Sequence, residues 1–357
     1  MILGKTSHKT RWGWIVALVA ILGVWSGRWP VAAEDAWSSP PAVTGGKIVF
    51  QVASAADEDP AAAGKAAAKA LKEKMAGVPL KLVIVAECFE DRQNKQKLLE
   101  AVCSVLPRQV VVGGATYGSF TQAGCTDADS VSLLGIGGDA ISVSAALVTE
   151  LGTAKLAFEQ NRGEIESKLH AAGAKLAKKL RRTDADRLLL LIADAHAPKN
   201  QSLVEGIQQV VGAKFPITGG CVNKNAGQTF LAFGGQLYED SALAILLSGD
   251  FRAALAGLQA KENDKVISTA RESAAQALAA VQRKPVAALA FDCAGRRSKL
   301  KKIEEELAAV QQSIGREVTL FGCYCAGEMG PVDAPDKRAD ALCGGSGWHI
   351  MFTVIAR

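Results

Sequence analysis

The chain has 357 residues, a formal net charge of +5, and 49% hydrophobic against 22% charged residues. That composition excludes a disordered chain and leaves room for one large domain or two. Lys5, Lys9, Arg11 and Arg28 all fall in residues 1–33, which hold no acid, so the remainder carries 5 − 4 = +1. A nearly neutral body gives no bulk electrostatic case for nucleic acid.

Taken in chain order, Lys5, Lys9 and Arg11 form a positive start, and Trp12 to Ser26 is an uncharged apolar run of 15 residues. That run falls short of the roughly 20 residues a bilayer span needs. Val31-Ala32-Ala33 then places small residues before a cleavage point. The order is that of a secretory signal peptide over 1–33. The expectation is an exported protein, periplasmic or extracellular, cleaved near Ala33; the competing reading is a retained anchor. Residues 34–46, rich in Ser, Pro and Ala, read as a flexible leader. No later run is apolar for long enough to span a membrane, so no span is expected in the mature protein. All eight cysteines (88, 103, 125, 221, 293, 323, 325, 343) lie after the signal. Export permits disulfides, and Cys293 with Cys323 or Cys325 is the expected pair, against reduced buried thiols.

A unit then recurs three times. In the first copy a strand-like run from Leu80 to Ala86 ends in Glu87-Cys88. A helix with Leu98, Leu99, Val102 and Leu106 on one face follows, then a strand ending in Gly113-Gly114 and two apolar runs near 131–136 and 141–148. The second copy has a strand from Leu188 to Ile192 ending at Asp194, a helix over 203–211, and Pro216 to Cys221 with Gly219-Gly220. Two more runs follow it, joined through Gly234-Gly235. The third has Val286 to Phe291 ending in Asp292-Cys293, then Leu300, Ile303, Leu307, Val310 and Ile314 at helical spacing. Val318 to Cys323 and one closing strand, Ile350 to Ile355, complete it, so this copy reads as incomplete. Helices with stripes at 165–180 and around 267–281 lie between the copies. The fold class is α/β: mixed sheets with helices packed on them, in three related strand-helix-strand repeats. Glu87, Asp194 and Asp292 are expected to be equivalent, as are Gly113, Gly219 and Gly322.

Ligands of α/β sheets gather at the carboxyl ends of strands. No phosphate-binding or dinucleotide glycine motif is present, so nucleotide binding is not supported and no cofactor is expected. The third copy is chemically richest. Asp292-Cys293-Ala294-Gly295-Arg296-Arg297 joins a strand to a helix start, where Arg296 suits a carboxylate or phosphate. Gly322 to Pro331 packs Tyr324, Gly327, Glu328, Gly330 and two cysteines into one turn. The two loops are expected to form one pocket. Arg296 would hold an anion, Glu328 a cationic or donating group, and Tyr324 an apolar wall with a polar tip. The alternative is internal, with Arg296 and Glu328 paired to each other.

These strings carry a family resemblance. Cys-Ala-Gly-Arg at 293–296 and Tyr-x-x-Gly-Glu-Met-Gly-Pro at 324–331 resemble hallmarks of the C-terminal domain of the FIST family (F-box and intracellular signal transduction). Val112 to Gly118, Pro216 to Gly220 and Phe233-Gly234-Gly235 resemble its N-terminal domain. The resemblance covers about 47–357 and implies an N-terminal domain over 47–252 and a C-terminal domain over 253–357. It implies a sensory module for a small ligand, amino acids being proposed, without known catalysis, alongside an unidentified signalling partner. By position the ligand-binding set it carries over is Cys293, Arg296, Tyr324, Gly327, Glu328, Gly330 and Pro331, to which the strand-end Asp292 is added. Cys323 and Cys325 depart from the family pattern, and no other signalling domain is attached.

Other classes remain in view. A thiol enzyme needs a base or a cation beside Cys293 or Cys323, and only His170, His196 and His349 lie beyond the signal. A soft metal on Cys293, Cys323 and Cys325 matches no common zinc spacing. Neither catalytic residues nor metal ligands are therefore assigned.

Overall fold

Side chains alternate across a strand, and here both faces are buried. In Leu80–Cys88, Leu82, Ile84 and Ala86 enter one apolar cluster while Val83 and Val85 enter another. The first cluster is shared, drawing Leu188 and Leu190, and Leu289 and Phe291, from two further sheets. The other clusters are private, each lying between one sheet and its own helices. Three sheets thus face a common core, and helices cover their outer faces. This computed structural model describes residues 35–225 and 227–357; the expected signal peptide lies outside the described residues.

Each repeat runs strand, helix, strand, helix, strand, hairpin, strand. The first comprises Val49–Ala56, Pro60–Lys74, Leu80–Cys88, Arg92–Cys103, Val111–Ala115 and Ser130–Gly137. The second comprises Ile141–Val148, Phe158–Lys179, Asp186–Ala193, Asn200–Val211, Ile217–Cys221 and Ala242–Gly249. The third comprises Arg252–Gln259, Asn263–Val281, Pro285–Cys293, Ile303–Ile314, Thr319–Cys325 and His349–Ala356. In each sheet the order is first, last, second, third strand. The second and third strands are parallel, and the last is antiparallel to both its neighbours.

The third copy is therefore complete. The strand taken as the close of one copy, such as Ile141–Val148, is the opening strand of the next, and the sequence reading drew the boundary one strand late. It also passed over Val49–Ala56, Pro60–Lys74 and Arg252–Gln259. Leu300 precedes the helix it was expected to join, which spans Ile303–Ile314.

The hairpin after each third strand joins a neighbour's sheet, not its own. Ser119–Thr121 with Gly124–Thr126 extends the third repeat along Thr319–Cys325. Leu231–Phe233 with Gln236–Tyr238 extends the first along Val111–Ala115. Glu328–Gly330 with Gly344–Ser346 extends the second along Ile217–Cys221. The exchange closes into a cycle, so each sheet is completed by another repeat. Arg297 reinforces one seam by pairing with Asp127 of the first repeat's hairpin at 2.5 Å.

Register tests the expected equivalences. Gly113, Gly219 and Gly322 lie opposite Val85, Leu191 and Ala290, so the glycines are equivalent. Glu87 and Asp292 sit two residues past those partners. In the second repeat that place belongs to Ala193, and Asp194 comes one residue later. A one-residue offset turns a side chain to the opposite face. Asp194 is thus not the counterpart of the other two acids.

Two expectations about flexibility and cross-linking also change. Within the supposed leader, Ala36–Ser38 pairs as an edge strand with Ser144 to Ala146, its open amides finding a ladder. All eight cysteines are free thiols, so the expected disulfide from Cys293 is not formed. Cys323 and Cys325 instead act as small apolar members of the shared core. They border a cavity of about 20 Å³ where the third strands converge, room for about one water. A Cβ on Gly220 would come within 2.3 Å of Cys325 Sγ, which explains why glycine stands at that approach.

Candidate functional site

Pro285–Cys293 and Thr319–Cys325 run in register, with Asp292 opposite Tyr324 and Cys293 opposite Cys325. Alternation puts Asp292 and Tyr324 on the helix side. There the Arg296 guanidinium is fully buried. Its Nε donates to Asp292 Oδ1 at 2.6 Å and its Nη1 to Thr269 Oγ1 at 2.9 Å. Its Nη2 donates to Val266 O at 3.0 Å and to Glu306 Oε1 at 2.9 Å. The Tyr324 hydroxyl donates to Glu306 Oε2 at 3.1 Å. One guanidinium thus faces two carboxyls. Burial, reinforced by Asp292, pushes Glu306 well above the carboxylate range, so the cluster holds a proton in place of a second negative charge.

This geometry changes the role expected of Arg296. Four of its N–H groups already serve internal acceptors, and its carboxylate partners are Asp292 and Glu306, not Glu328. The helix that carries it, Ala294–Arg297, is only four residues long. Glu306 escaped the sequence reading although it lies three residues after Ile303 and four before Val310, within the apolar stripe. A carboxyl inside such a stripe is the signal that would have found it.

On the inner side lie Cys293, Glu328 and His349. Met329 packs on the outer helices, so Glu328 faces inward; Met351 joins the shared core, so His349 does too. The Glu328 and His349 side chains are fully buried. Glu328 Oε2 accepts from the His349 backbone N–H at 3.0 Å, whereas Oε1 has no partner of good geometry. Burial pushes Glu328 well above the carboxylate range; Asp292 adds to the rise, and the nearby Cys293 thiol and Arg296 offset part of it. His349 Nδ1 donates to Gly347 O at 2.9 Å, which leaves Nε2 a lone-pair nitrogen without a partner. Burial lowers its pKa and keeps the ring neutral. Glu328 Oε1 and His349 Nε2 are thus two of several buried polar atoms without a hydrogen-bond partner among the described residues, and Asp292 Oδ2 is a third in this region.

Gly327 takes φ +136° at the turn into the exchanged hairpin, and Asn200 Nδ2 fixes that hairpin by donating to Glu328 O at 3.0 Å and Ser346 O at 2.9 Å. Gly330 packs against Met351, and the Pro331 carbonyl against Gly257. The Cys293 thiol is pushed up to about 12 by burial, with Glu328 contributing. It is mostly protonated at neutral pH and a poor nucleophile. Cys323 and Cys325 lie 3.6 Å apart, but among the described residues no group of three or more His, Cys, Asp or Glu side chains forms a metal site. The three-thiolate arrangement is thus not assembled. Among the described residues no helix is long and apolar enough to cross a membrane.

A family model described as the FIST N domain matches residues 81–272, and one described as the FIST C domain matches residues 223–331. No curated protein matches the chain. Among solved structures, the chain is similar to a cyanuric acid hydrolase from A. caulinodans, with 11% identity and a TM-score of 0.45 over 87% of this chain and 99% of that one. A chorismatase shares 8% identity with a TM-score of 0.41 over 87% of this chain and 99% of its own.

Proposed function

This chain belongs to the FIST family, whose domains are associated with small-ligand sensing, and from that premise we propose that it is an exported binding protein for small zwitterions such as amino acids, without catalysis of its own. The observation that carries the reading is the buried pair of atoms without hydrogen-bond partners, Glu328 Oε1 and His349 Nε2, both acceptors once Glu328 is ionised. An ammonium group supplies donors to both. The raised pKa of Glu328 adds a signature. An incoming ammonium favours the ionised carboxylate, so binding releases a proton. The high thiol pKa of Cys293 fits binding better than nucleophilic chemistry.

Titration calorimetry with the common amino acids, run in buffers of different ionisation enthalpy, tests this. The expected result is binding by wild type with release of up to one proton, and affinity at least about tenfold weaker for Glu328→Gln, the loss of one charge-assisted bond. Binding unchanged in Glu328→Gln, or none by wild type, would sink the reading.

Export is tested separately. The short apolar run before Val31-Ala32-Ala33 supports it, and the mature N-terminus is expected at Glu34 or within about two residues of it. Intact mass of the protein recovered from outside the cytoplasm measures this; a full-length chain held in the membrane fraction would refute it.

A further inference from the structure

We propose that Cys323 and Cys325 form a two-thiolate site for a soft metal ion, copper(I), at the cavity where the third strands of the three repeats converge. The proposal is independent of the zwitterion reading, since it uses neither Glu328 nor His349.

Two residues apart on one strand, the two side chains fall on the same face, and both enter the shared core. Gly113, Gly219 and Gly322 are equivalent by register. Cys323 and Cys325 therefore stand where the first repeat has Gly114 and Thr116 and the second has Gly220 and Val222. All six residues line the cavity of about 20 Å³, so this one place receives the same two positions from each repeat. The third repeat fills them with thiols whose sulfurs lie 3.6 Å apart. The other two supply the space. A side chain at Gly220 would run into Cys325 Sγ, and one at Gly114 would run into Val222.

Thiolates are soft ligands and select copper(I), zinc or iron–sulfur clusters. Structural zinc takes four protein ligands, and a cluster takes four cysteines. The cavity has room for one body the size of a water, so a cluster does not fit. Cys221 lines it as well, but its thiol donates to Ala195 O at 3.2 Å and packs on the outer side of the sheet. No carboxylate or imidazole side chain lines the cavity to serve a harder ion; Ile84, Ile192, Phe291 and Phe321 make up much of the wall. Copper(I) differs from zinc in that two thiolates satisfy it. With metal–sulfur bonds of about 2.3 Å, two sulfurs can share one ion at any separation up to about 4.6 Å. The observed 3.6 Å falls inside that span, so an ion bridges the pair without moving the strand.

Anaerobic titration of the reduced full chain with copper(I), against a chromogenic copper(I) chelator, tests the site. Wild type is expected to hold one copper(I) per chain. In Cys323→Ala/Cys325→Ala the affinity should fall by at least about 100-fold, more than loss of an outer-shell partner costs a metal site. Cys88→Ala/Cys103→Ala/Cys125→Ala removes the three half-buried thiols, where adventitious metal would collect, and should leave the affinity unchanged. Copper retained by Cys323→Ala/Cys325→Ala, copper lost with the half-buried thiols, or no copper held by wild type would each overturn the site. X-ray absorption of the loaded wild type gives a readout that does not depend on a core variant folding. It should show two sulfur neighbours at about 2.3 Å and no nitrogen or oxygen, and a shell of nitrogen or oxygen would refute the assignment.

Discussion

Replacing Arg296 by Met should cost about 3–5 kcal/mol, because it removes one partner of a buried ionic cluster and leaves the others uncompensated. Asp292 and Glu306 would be left together, both fully buried, without the guanidinium that bonds them. Thr269 Oγ1 and Val266 O would each lose a donor as well. Met keeps most of the side-chain volume, so the loss reports charge and hydrogen bonding more than a cavity. In a domain of this size the melting temperature should fall by on the order of 10 °C. Arg296→Met/Asp292→Asn/Glu306→Gln, which also removes the one negative charge the two carboxyls share, should recover part of the loss. Urea unfolding of the three proteins measures it. A single variant within about 1 kcal/mol of wild type would show that Arg296 is not a structural tie and would return it to the ligand site.

Stability should fall as pH rises from mildly acid to neutral, and Glu328 should account for a separable part of the fall. Glu306 and Glu328 both have folded-state values well above the usual 4.5. Between 4.5 and those raised values the folded chain keeps protons that the unfolded chain has released. The folded state is then penalised progressively as pH rises, by about 1.4 kcal/mol per pH unit for each such group. The stability these acids contribute is fully present below the unfolded value and is lost as pH climbs through the folded one. Glu328→Gln keeps an oxygen for the His349 N–H and removes one titration. Its unfolding free energy should decline less steeply as pH rises above 4.5, because one raised titration is gone. Parallel declines for wild type and Glu328→Gln would contradict a protonated Glu328.

Much of the fold was legible because periodicity is local. The runs at 80–86, 188–192 and 286–291 announce buried strands, and the stripe of Ile303, Leu307, Val310 and Ile314 announces a helix without reference to anything distant. The repetition of Gly113-Gly114, Gly219-Gly220 and Gly322-Cys323 announced three copies for the same reason. The alanine-rich helix Pro60–Lys74 gave no such stripe, and the boundary between copies slipped by one strand. A strand's partner is a long-range fact, and nothing within Ile141–Val148 says which sheet it opens.

The sequence by itself determined the α/β class, the threefold repetition, the family and the chemical richness of the loops at 292–297 and 322–331. Those properties depend on residue types and short spacings. Only the tertiary structure decided what the loops do. The cyclic exchange of hairpins carries Glu328 into the second repeat's sheet while its neighbours Asp292 and Tyr324 stay in the third, so two adjoining sheets divide the motif between them. Alternation then sends Asp292 outward to Arg296 and Glu306 but Cys293 inward toward Glu328. A one-residue step along a strand is invisible as chemistry in the sequence, yet it separates an internal tie from a ligand site. Burial made the second decision. It committed Arg296 to internal acceptors, where an uncompensated charge is too costly.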